Sequence, residues 1–309
     1  MRVAVIDLGT NTCNLLIAEI NSFGFEILHQ SKQLVKLGDD KIRENEISEA
    51  ATSRVLQSFR VHKKIISEFN AEKVRVVATS AVRTAENKIA FLEQISEKSG
   101  WIVKLISGEK EAEMIFDGVL LAFNEFKNPA VILDIGGGSN ELIVAQNKQM
   151  LWKESQPTGM ARIINRFKIS DPILPGEIES LKKHFAEAHK NAFEKCKTEN
   201  TKTLVGCSGA FDTIADIIDS VNPGEKQRTT QDISISDFYT IYNRLIKSNR
   251  EERLATKGMD YVRVDLIVPA VILIELLISE TGITQITQTD FALREGVLFE
   301  LIKRGNSTR

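Results

Sequence analysis

The sequence predicts an α/β protein with two similar sheets, and three observations carry that prediction. First, Val5-Ile6-Asp7-Leu8-Gly9-Thr10-Asn11-Thr12, followed by Leu15-Leu16-Ile17-Ala18, reads as an apolar strand, a carboxylate, a turn of small residues and a second apolar strand. Second, the pattern returns in the other half as Ile132-Leu133-Asp134-Ile135-Gly136-Gly137-Gly138-Ser139, followed by Leu142-Ile143-Val144-Ala145. Third, each repeated hairpin is followed by strand-like runs that alternate with helical patterns, the order expected of an α/β domain.

The elements follow from the first hairpin onward. Residues 25–37 continue as a strand, and Ser48 N-caps a helical pattern that runs to Phe69. Residues 74–78 form a short buried strand, 86–99 a helix and 102–106 another strand, and Ser107-Gly108 opens a helix over 109–123. The polar, turn-rich stretch 124–129 is the predicted boundary, giving domains 1–124 and 125–309, with the last helix a candidate to pack back on the first domain. Beyond it lie strands at 130–133, 141–145 and 149–155, then Leu174-Pro175-Gly176-Glu177 as a turn before one long amphipathic helix over 178–197. A strand at 202–205 ends in Gly206-Cys207-Ser208-Gly209-Ala210, a helix follows to Ile218, and Asn222-Pro223-Gly224 breaks it. Helices over 236–247, 264–279 and 291–304, with a strand at 285–288, complete the reading.

The bulk properties narrow the function. A chain of 309 residues, 42% hydrophobic, can bury two ordinary cores. The formal charge of −2 excludes wholesale attraction to nucleic acid or a membrane surface, so neither is an expected partner. The N-terminus enters a strand at once, without a signal-peptide layout. The apolar stretch 266–279 contains Pro269 and Glu275 and is too short to span a bilayer. Cys13, Cys196 and Cys207 are sparse, odd in number and form no CxxC pair, which fits a reducing compartment. The expectation is a cytoplasmic protein.

The two turns are the candidate site. Turns of Gly, Thr, Asn and Ser present backbone N–H groups outward, and glycine removes the side chain that would hold a phosphate away. Thr10, Asn11, Thr12 and Ser139 add side-chain donors. One such turn is compatible with an ordinary hairpin loop; two, each with a carboxylate closing an apolar strand, are not. Asp7 and Asp134 are hard oxygen ligands of the kind Mg²⁺ takes, and Glu141 is placed to reach the same ion. Gly206, Ser208 and Gly209, between strand and helix, are placed to aim helix N–H groups at an anion. Arg83 follows a small-residue loop and is a candidate phosphate clamp. Glu109, Glu111 and Glu113 open a helix, where acidic residues favour the dipole, and one of them is a candidate general base. The lysines of 178–197 are interleaved with glutamates and read as a solvated helix face. The four histidines show no ligand spacing, and there is no serine–histidine triad signature.

Taken together, Asp7 to Thr12, Ala78-Thr79-Ser80-Ala81-Val82-Arg83, Ile106-Ser107-Gly108 with Glu111-Ala112, Asp134 to Ser139 with Glu141-Leu142, and Ala292-Leu293-Arg294-Glu295-Gly296 resemble the exopolyphosphatase/guanosine pentaphosphate phosphohydrolase family, over nearly the whole chain. That family lies within the actin-like, sugar-kinase and heat-shock-chaperone ATPase superfamily. The resemblance implies two ribonuclease-H-like (actin-like ATPase) domains flanking a cleft, a homodimer, and Mg²⁺- or Mn²⁺-dependent hydrolysis of a terminal phosphoanhydride. It implies that Glu111 activates water, that Asp134 and Glu141 organise the metal, and that Gly136, Gly137, Gly138 and Ser139 form the phosphate loop. Asn11 and Arg83 then contact substrate phosphates. Inorganic polyphosphate and guanosine pentaphosphate both present the anhydride. A kinase of the same superfamily and a non-catalytic alarmone sensor are the competing classes; intact Glu111, Asp134 and Glu141 argue against the sensor. Longer members carry extra C-terminal domains that extend a polyphosphate channel, so high processivity is not expected of this chain.

Overall fold

The computed structural model describes residues 1–22, 24–38 and 45–306. The chain divides into two compact units, residues 1–118 with the C-terminal segment from Leu293, and Val119–Ala292.

In the first unit, β1 (Arg2–Leu8), β2 (Thr12–Asn21) and β3 (Gly24–Leu34) form an antiparallel meander, and β4 (Lys73–Ala78) and β5 (Val103–Leu105) add to β1 in parallel. The order is β3-β2-β1-β4-β5. Both faces of β1 are buried, Val3 and Val5 as completely as Ala4 and Ile6, which is why the strand reads as a continuous apolar run. The helices of this unit are α1 (Glu49–Glu68), α2 (Ser80–Thr84), α3 (Lys88–Ser99) and α4 (Gly108–Phe123), whose last turn belongs to the second unit. Ser48 caps α1 as expected, its hydroxyl accepting the Ala51 N–H at 3.1 Å, a contact worth about 1 kcal/mol. Val55 and Phe59 of α1 and Phe91 and Ile95 of α3 pack with Ile6, Leu15 and Ile17.

The second unit repeats this plan. Strands β6 (Phe126–Ile135), β7 (Asn140–Asn147) and β8 (Gln149–Gln156) form the meander. Helices α5 (Met160–Arg166), α6 (Pro175–Ala188) and α7 (Lys190–Thr198) lead to β9 (Thr203–Cys207), which runs parallel to β6. After α8 (Gly209–Asp219) come β10 (Gln231–Ile233), α9 (Ile235–Lys247), α10 (Arg250–Leu254), α11 (Ile267–Thr281) and β11 (Gln285–Thr289). The sheet order is β10-β11-β9-β6-β7-β8, so β8-β7-β6-β9-β11 reproduces the first sheet strand for strand, with β10 added at the edge. The apolar helix α11 is buried along nearly its whole length. No helix among the described residues is long and apolar enough to cross a membrane. The last helix, α12 (Leu293–Asn306), packs on β1 and β2 of the first unit.

Two local expectations are corrected. Strand β6 starts at Phe126, within the stretch read as a turn. A register shift between Phe126 and Ala130 accommodates Pro129 where no ladder N–H is required. The single helix expected over 178–197 is two, α6 and α7, broken at His189, whose backbone leaves helical geometry at φ −106°. The His189 ring is fully buried and hydrogen-bonded at both nitrogens, and those tertiary bonds override the helical pattern. On this segment Lys182, Lys190, Lys195 and Lys197 each pair with a glutamate, in keeping with a solvated face.

Candidate active site

The two repeated turns close in the same way. Gly9 donates its N–H to Thr12 O at 3.0 Å, and Gly136 donates its N–H to Ser139 O at 3.0 Å. A Cβ on Gly136 would lie 2.6 Å from that carbonyl oxygen, and one on Gly9 3.2 Å from its counterpart. Glycine is therefore required at the second turn and favoured at the first.

What backs each turn differs. In the first unit, Thr10 O accepts the Leu37 N–H (2.7 Å), and Asn11 O accepts those of Val35 (2.9 Å) and Lys36 (3.0 Å). The Asn11 amide nitrogen Nδ2 is buried and has no acceptor among the described residues. In the second unit the N-terminus of α5 holds the turn. Gly136 O accepts the Met160 N–H (3.0 Å), Gly137 O the Ala161 N–H (2.9 Å) and Gly138 O the Arg162 Nε–H (2.9 Å). In a planar trans peptide the N–H points opposite to the preceding carbonyl. Drawing three successive carbonyls onto α5 thus turns the amides of Gly137, Gly138 and Ser139 the other way. Those of Gly137 and Gly138 meet no acceptor among the described residues. The result is a row of N–H donors suited to a phosphate.

The strand carboxylates also differ between copies. Asp134 lies directly across the β6–β7 ladder from Glu141. They are 9% and 1% exposed, and the Ser155 hydroxyl donates to Glu141 Oε1 at 2.7 Å. Asp7 lies across from Asn14, whose Nδ2 donates to Asp7 Oδ2 at 3.0 Å. Burial pushes the Asp7 carboxyl up to about 6, against the hydrogen bond from Asn14 and the charge of Arg294, while the nearby Glu295 raises it further. Asp134 and Glu141 are a hard-oxygen pair that fits Mg²⁺, an ion that takes one or two carboxylates and fills its shell with water and phosphate oxygens. Among the described residues no group of three or more His, Cys, Asp and Glu side chains is gathered to hold a metal.

On α4, Ser107 caps the helix: its hydroxyl accepts the Lys110 N–H at 3.2 Å and its carbonyl the Glu111 N–H at 2.9 Å. Of the three glutamates in this stretch, Glu109 is exposed, Glu113 half-buried and Glu111 only 7% exposed. Arg83 Nη1 donates to Glu111 Oε2 at 2.8 Å and to Ile106 O at 3.1 Å. The arginine read as a phosphate clamp thereby also fixes the carboxylate read as the base.

The strand–helix turn of the second unit has structural occupants at its expected phosphate residues. A Cβ on Gly206 would meet the Phe211 ring at 2.1 Å, and one on Gly209 the Arg263 guanidinium at the same distance. Ser208 adopts φ +73°, a conformation that costs a non-glycine residue about 1–3 kcal/mol. Its hydroxyl holds it there, donating to Ile135 O at 3.0 Å and accepting the Ile135 N–H at 3.3 Å. These bonds tie the residue before the glycine turn to the start of α8. Burial pushes the Cys13 thiol up to about 12 and the Cys196 thiol to about 11, and all three cysteines are free. Neither Cys13 nor Cys196 is a nucleophile in this state.

Three residues escaped the sequence reading, and a fourth, Glu295, was read only as part of a motif. Gly159 caps the start of α5 and Arg162 lies within it, a helix too short to show periodicity. Arg263 lies in a segment without motif character, and its guanidinium makes no hydrogen bond or ion pair among the described residues. Glu295, fully buried beside Asp7, had a signal in the motif 292–296, but nothing there told which residue it approaches.

Comparison with known proteins agrees with this geometry. The sequence profile of the Ppx/GppA phosphatase family matches residues 16–305. An exopolyphosphatase 2 of Mycobacterium tuberculosis is 27% identical over 97% of this chain and 98% of its own length. The crystal structure of an exopolyphosphatase from Cytophaga hutchinsonii, 33% identical, superposes with a TM-score of 0.93 over 98% of both chains. The Aquifex aeolicus member of the Ppx/GppA family, 25% identical, gives 0.84 over 99% of both. The duplicated sheet is thus the two-domain actin-like fold of these proteins. Its turns, paired carboxylates and buried Glu111 stand in a chain that belongs to the Ppx/GppA phosphatase family and is a hydrolase acting on phosphoanhydrides.

Proposed function

We propose that this enzyme is an exopolyphosphatase, releasing orthophosphate from the end of inorganic polyphosphate. The observation that carries the reading is the row of outward amides on Gly137 and Gly138, next in sequence to the carboxylate pair Asp134 and Glu141. The exopolyphosphatases among its relatives support it.

In this reading the terminal phosphoryl group is attacked in line by water. Glu111, oriented by Arg83, accepts the proton, a role worth on the order of 10²–10⁴ in rate. The amides of the glycine turn stabilise charge on the transferring phosphoryl and the departing chain end. Arg263, resting on Gly209, adds a cation for the phosphate chain. Asn11, whose buried Nδ2 has no acceptor among the described residues, serves as a further phosphate contact, and Thr10 and Thr12 flank it. Asp134 and Glu141 would hold a Mg²⁺ or Mn²⁺ ion, which when bound neutralises phosphate charge.

The test is phosphate release from long-chain polyphosphate and from guanosine pentaphosphate, side by side, with Mg²⁺ and with Glu111→Gln as control. The expected result is release from polyphosphate that falls by at least roughly a hundredfold in the variant. Release from the nucleotide alone would make the enzyme a guanosine pentaphosphate 5′-phosphohydrolase. Tight nucleotide binding without release would make it a sensor, and near-normal turnover of Glu111→Gln would remove Glu111 from the chemistry.

A further inference from the structure

Behind the glycine turn of the second unit runs a buried polar chain that the mechanism above does not use. The Asn140 amide donates from Nδ2 to both Thr158 O (2.8 Å) and Thr158 Oγ1 (3.0 Å). Thr158 Oγ1 lies 3.0 Å from His189 Nε2, and His189 Nδ1 lies 2.6 Å from Glu154 Oε1. All four residues are buried, Asn140 and His189 completely.

The directions of these bonds follow from the donors available. Both Nδ2 hydrogens of Asn140 go to Thr158, so the Thr158 oxygen already accepts one bond. The Glu154 carboxylate can only accept, so His189 Nδ1 carries the ring proton; Nε2 of a neutral ring then accepts, and the Thr158 hydroxyl donates to it. The chain is thus ordered from Asn140 to a fixed anion, and each member has one role.

Its free end bears on the phosphate turn in two ways. Thr158 is followed by Gly159, so close to the turn that a Cβ there would lie 2.4 Å from Gly138 C and Ser139 N. Met160 and Ala161, next in sequence, donate the N–H groups that hold Gly136 O and Gly137 O. Asn140, for its part, stands between Ser139 and Glu141. Successive strand side chains point to opposite faces, so anchoring Asn140 on one face presents Glu141 on the other.

We infer that Thr158, held by His189 and Glu154, is a positioning residue that sets the outward amides of the glycine turn and the direction of Glu141. The inference rests on the proposed phosphoanhydride site, and its test separates the two. Thr158→Val removes the hydroxyl at nearly constant shape, and Thr158→Ser restores it. Each variant is assayed for kcat and KM on tripolyphosphate, for tripolyphosphate binding by calorimetry in a Glu111→Gln background, and for its thermal midpoint. A mis-set catalytic geometry loses roughly ten- to a hundredfold in rate. Thr158→Val is expected to lose that much in kcat/KM, mostly in kcat, and Thr158→Ser to stay within about threefold of the wild type. A Thr158→Val enzyme that melts earlier but binds and turns over normally while folded overturns the inference alone, because a purely structural chain moves only stability. If Thr158→Val does not fold, His189→Gln, which can reach Thr158 but lacks a donor at the Nδ1 position for Glu154, is measured against the same standard. A wild-type chain that neither binds nor cleaves tripolyphosphate or long-chain polyphosphate overturns the functional reading and this inference with it.

Discussion

The two copies of the strand–turn–strand unit share a backbone and differ in chemistry. Both turns close with the same glycine-to-carbonyl hydrogen bond, and both first strands carry an aspartate one residue before their end. Yet Asp134 faces Glu141 across its ladder, while Asp7 faces Asn14. The second copy sets two acidic side chains together, and the first replaces one of them with an amide that donates to the remaining carboxylate. The backing differs too: α5 draws three successive carbonyls away from the second turn, whereas the segment after β3, residues 35–37, holds two carbonyls of the first. The two copies share a scaffold, and different residues at matching positions give each its own chemistry. The second copy is suited to hold charge, and the first to keep a carboxyl partly protonated near neutral pH.

The sharpest test of that division is removal of one aspartate from each copy. Asp134→Ala takes a hard oxygen from the pair that fits a divalent cation. Phosphate release is expected to fall about 10³-fold, near 4 kcal/mol in barrier, and the Mg²⁺ titration to shift to higher concentration. A titration that superposes on that of the wild type would break the comparison at its main point.

Asp7→Asn is expected to act in the opposite sense on stability. Burial raises the folded-state value from 3.8 to about 6, so between those limits the folded chain binds more protons than the unfolded one. The linkage then makes stability fall as pH rises through that window. The penalty is absent below about pH 4 and complete above about pH 7, where a shift of this size corresponds to about 3 kcal/mol. Asn carries no charge and can still accept from Asn14. The variant is therefore expected to be about 2–3 kcal/mol more stable than the wild type at pH 8 and equal to it near pH 4. Urea unfolding at the two pH values measures this. Equal stability at both would mean that Asp7 is an ordinary carboxylate, and the contrast with Asp134 would lose its electrostatic basis.

Much of this could be read from the chain because the signals are local. The hairpins announce themselves by apolar runs interrupted by small residues, and Ser48 and Ser107 mark helix starts with their own side chains. The helix pattern alone left Glu111 level with Glu109 and Glu113; the motif resemblance picked it out, and in the fold it is the buried one of the three. What was hidden depends on partners far away in sequence. The break at His189 is made by Glu154 and Thr158, which no helical period encodes. Gly206 looked like a phosphate glycine, and the ring of Phe211 occupies the space its missing side chain leaves. The approach of Glu295 to Asp7 joins opposite ends of the chain through the packing of α12 on β1.

The smallest expected difference concerns the turns themselves. A methyl group on Gly136 would stand 2.6 Å from the Ser139 carbonyl oxygen, a backbone atom that cannot move without opening the turn. The same group on Gly9 would stand 3.2 Å from Thr12 O, which a few tenths of an ångström relieves. Neither glycine has a positive φ, so the contrast is one of space and not of backbone preference. Gly136→Ala is expected to destabilise by about 2 kcal/mol through strain. It should also lower turnover, because the amides of Gly137 and Gly138 move with the turn. Gly9→Ala is expected to stay within about 1 kcal/mol, since the entropy lost by the unfolded chain offsets part of the strain. Chemical denaturation of both variants, beside their phosphate release, decides it. Equal losses at the two positions would mean that the first turn is held as tightly as the second, and that α5 adds nothing which residues 35–37 behind the first turn do not.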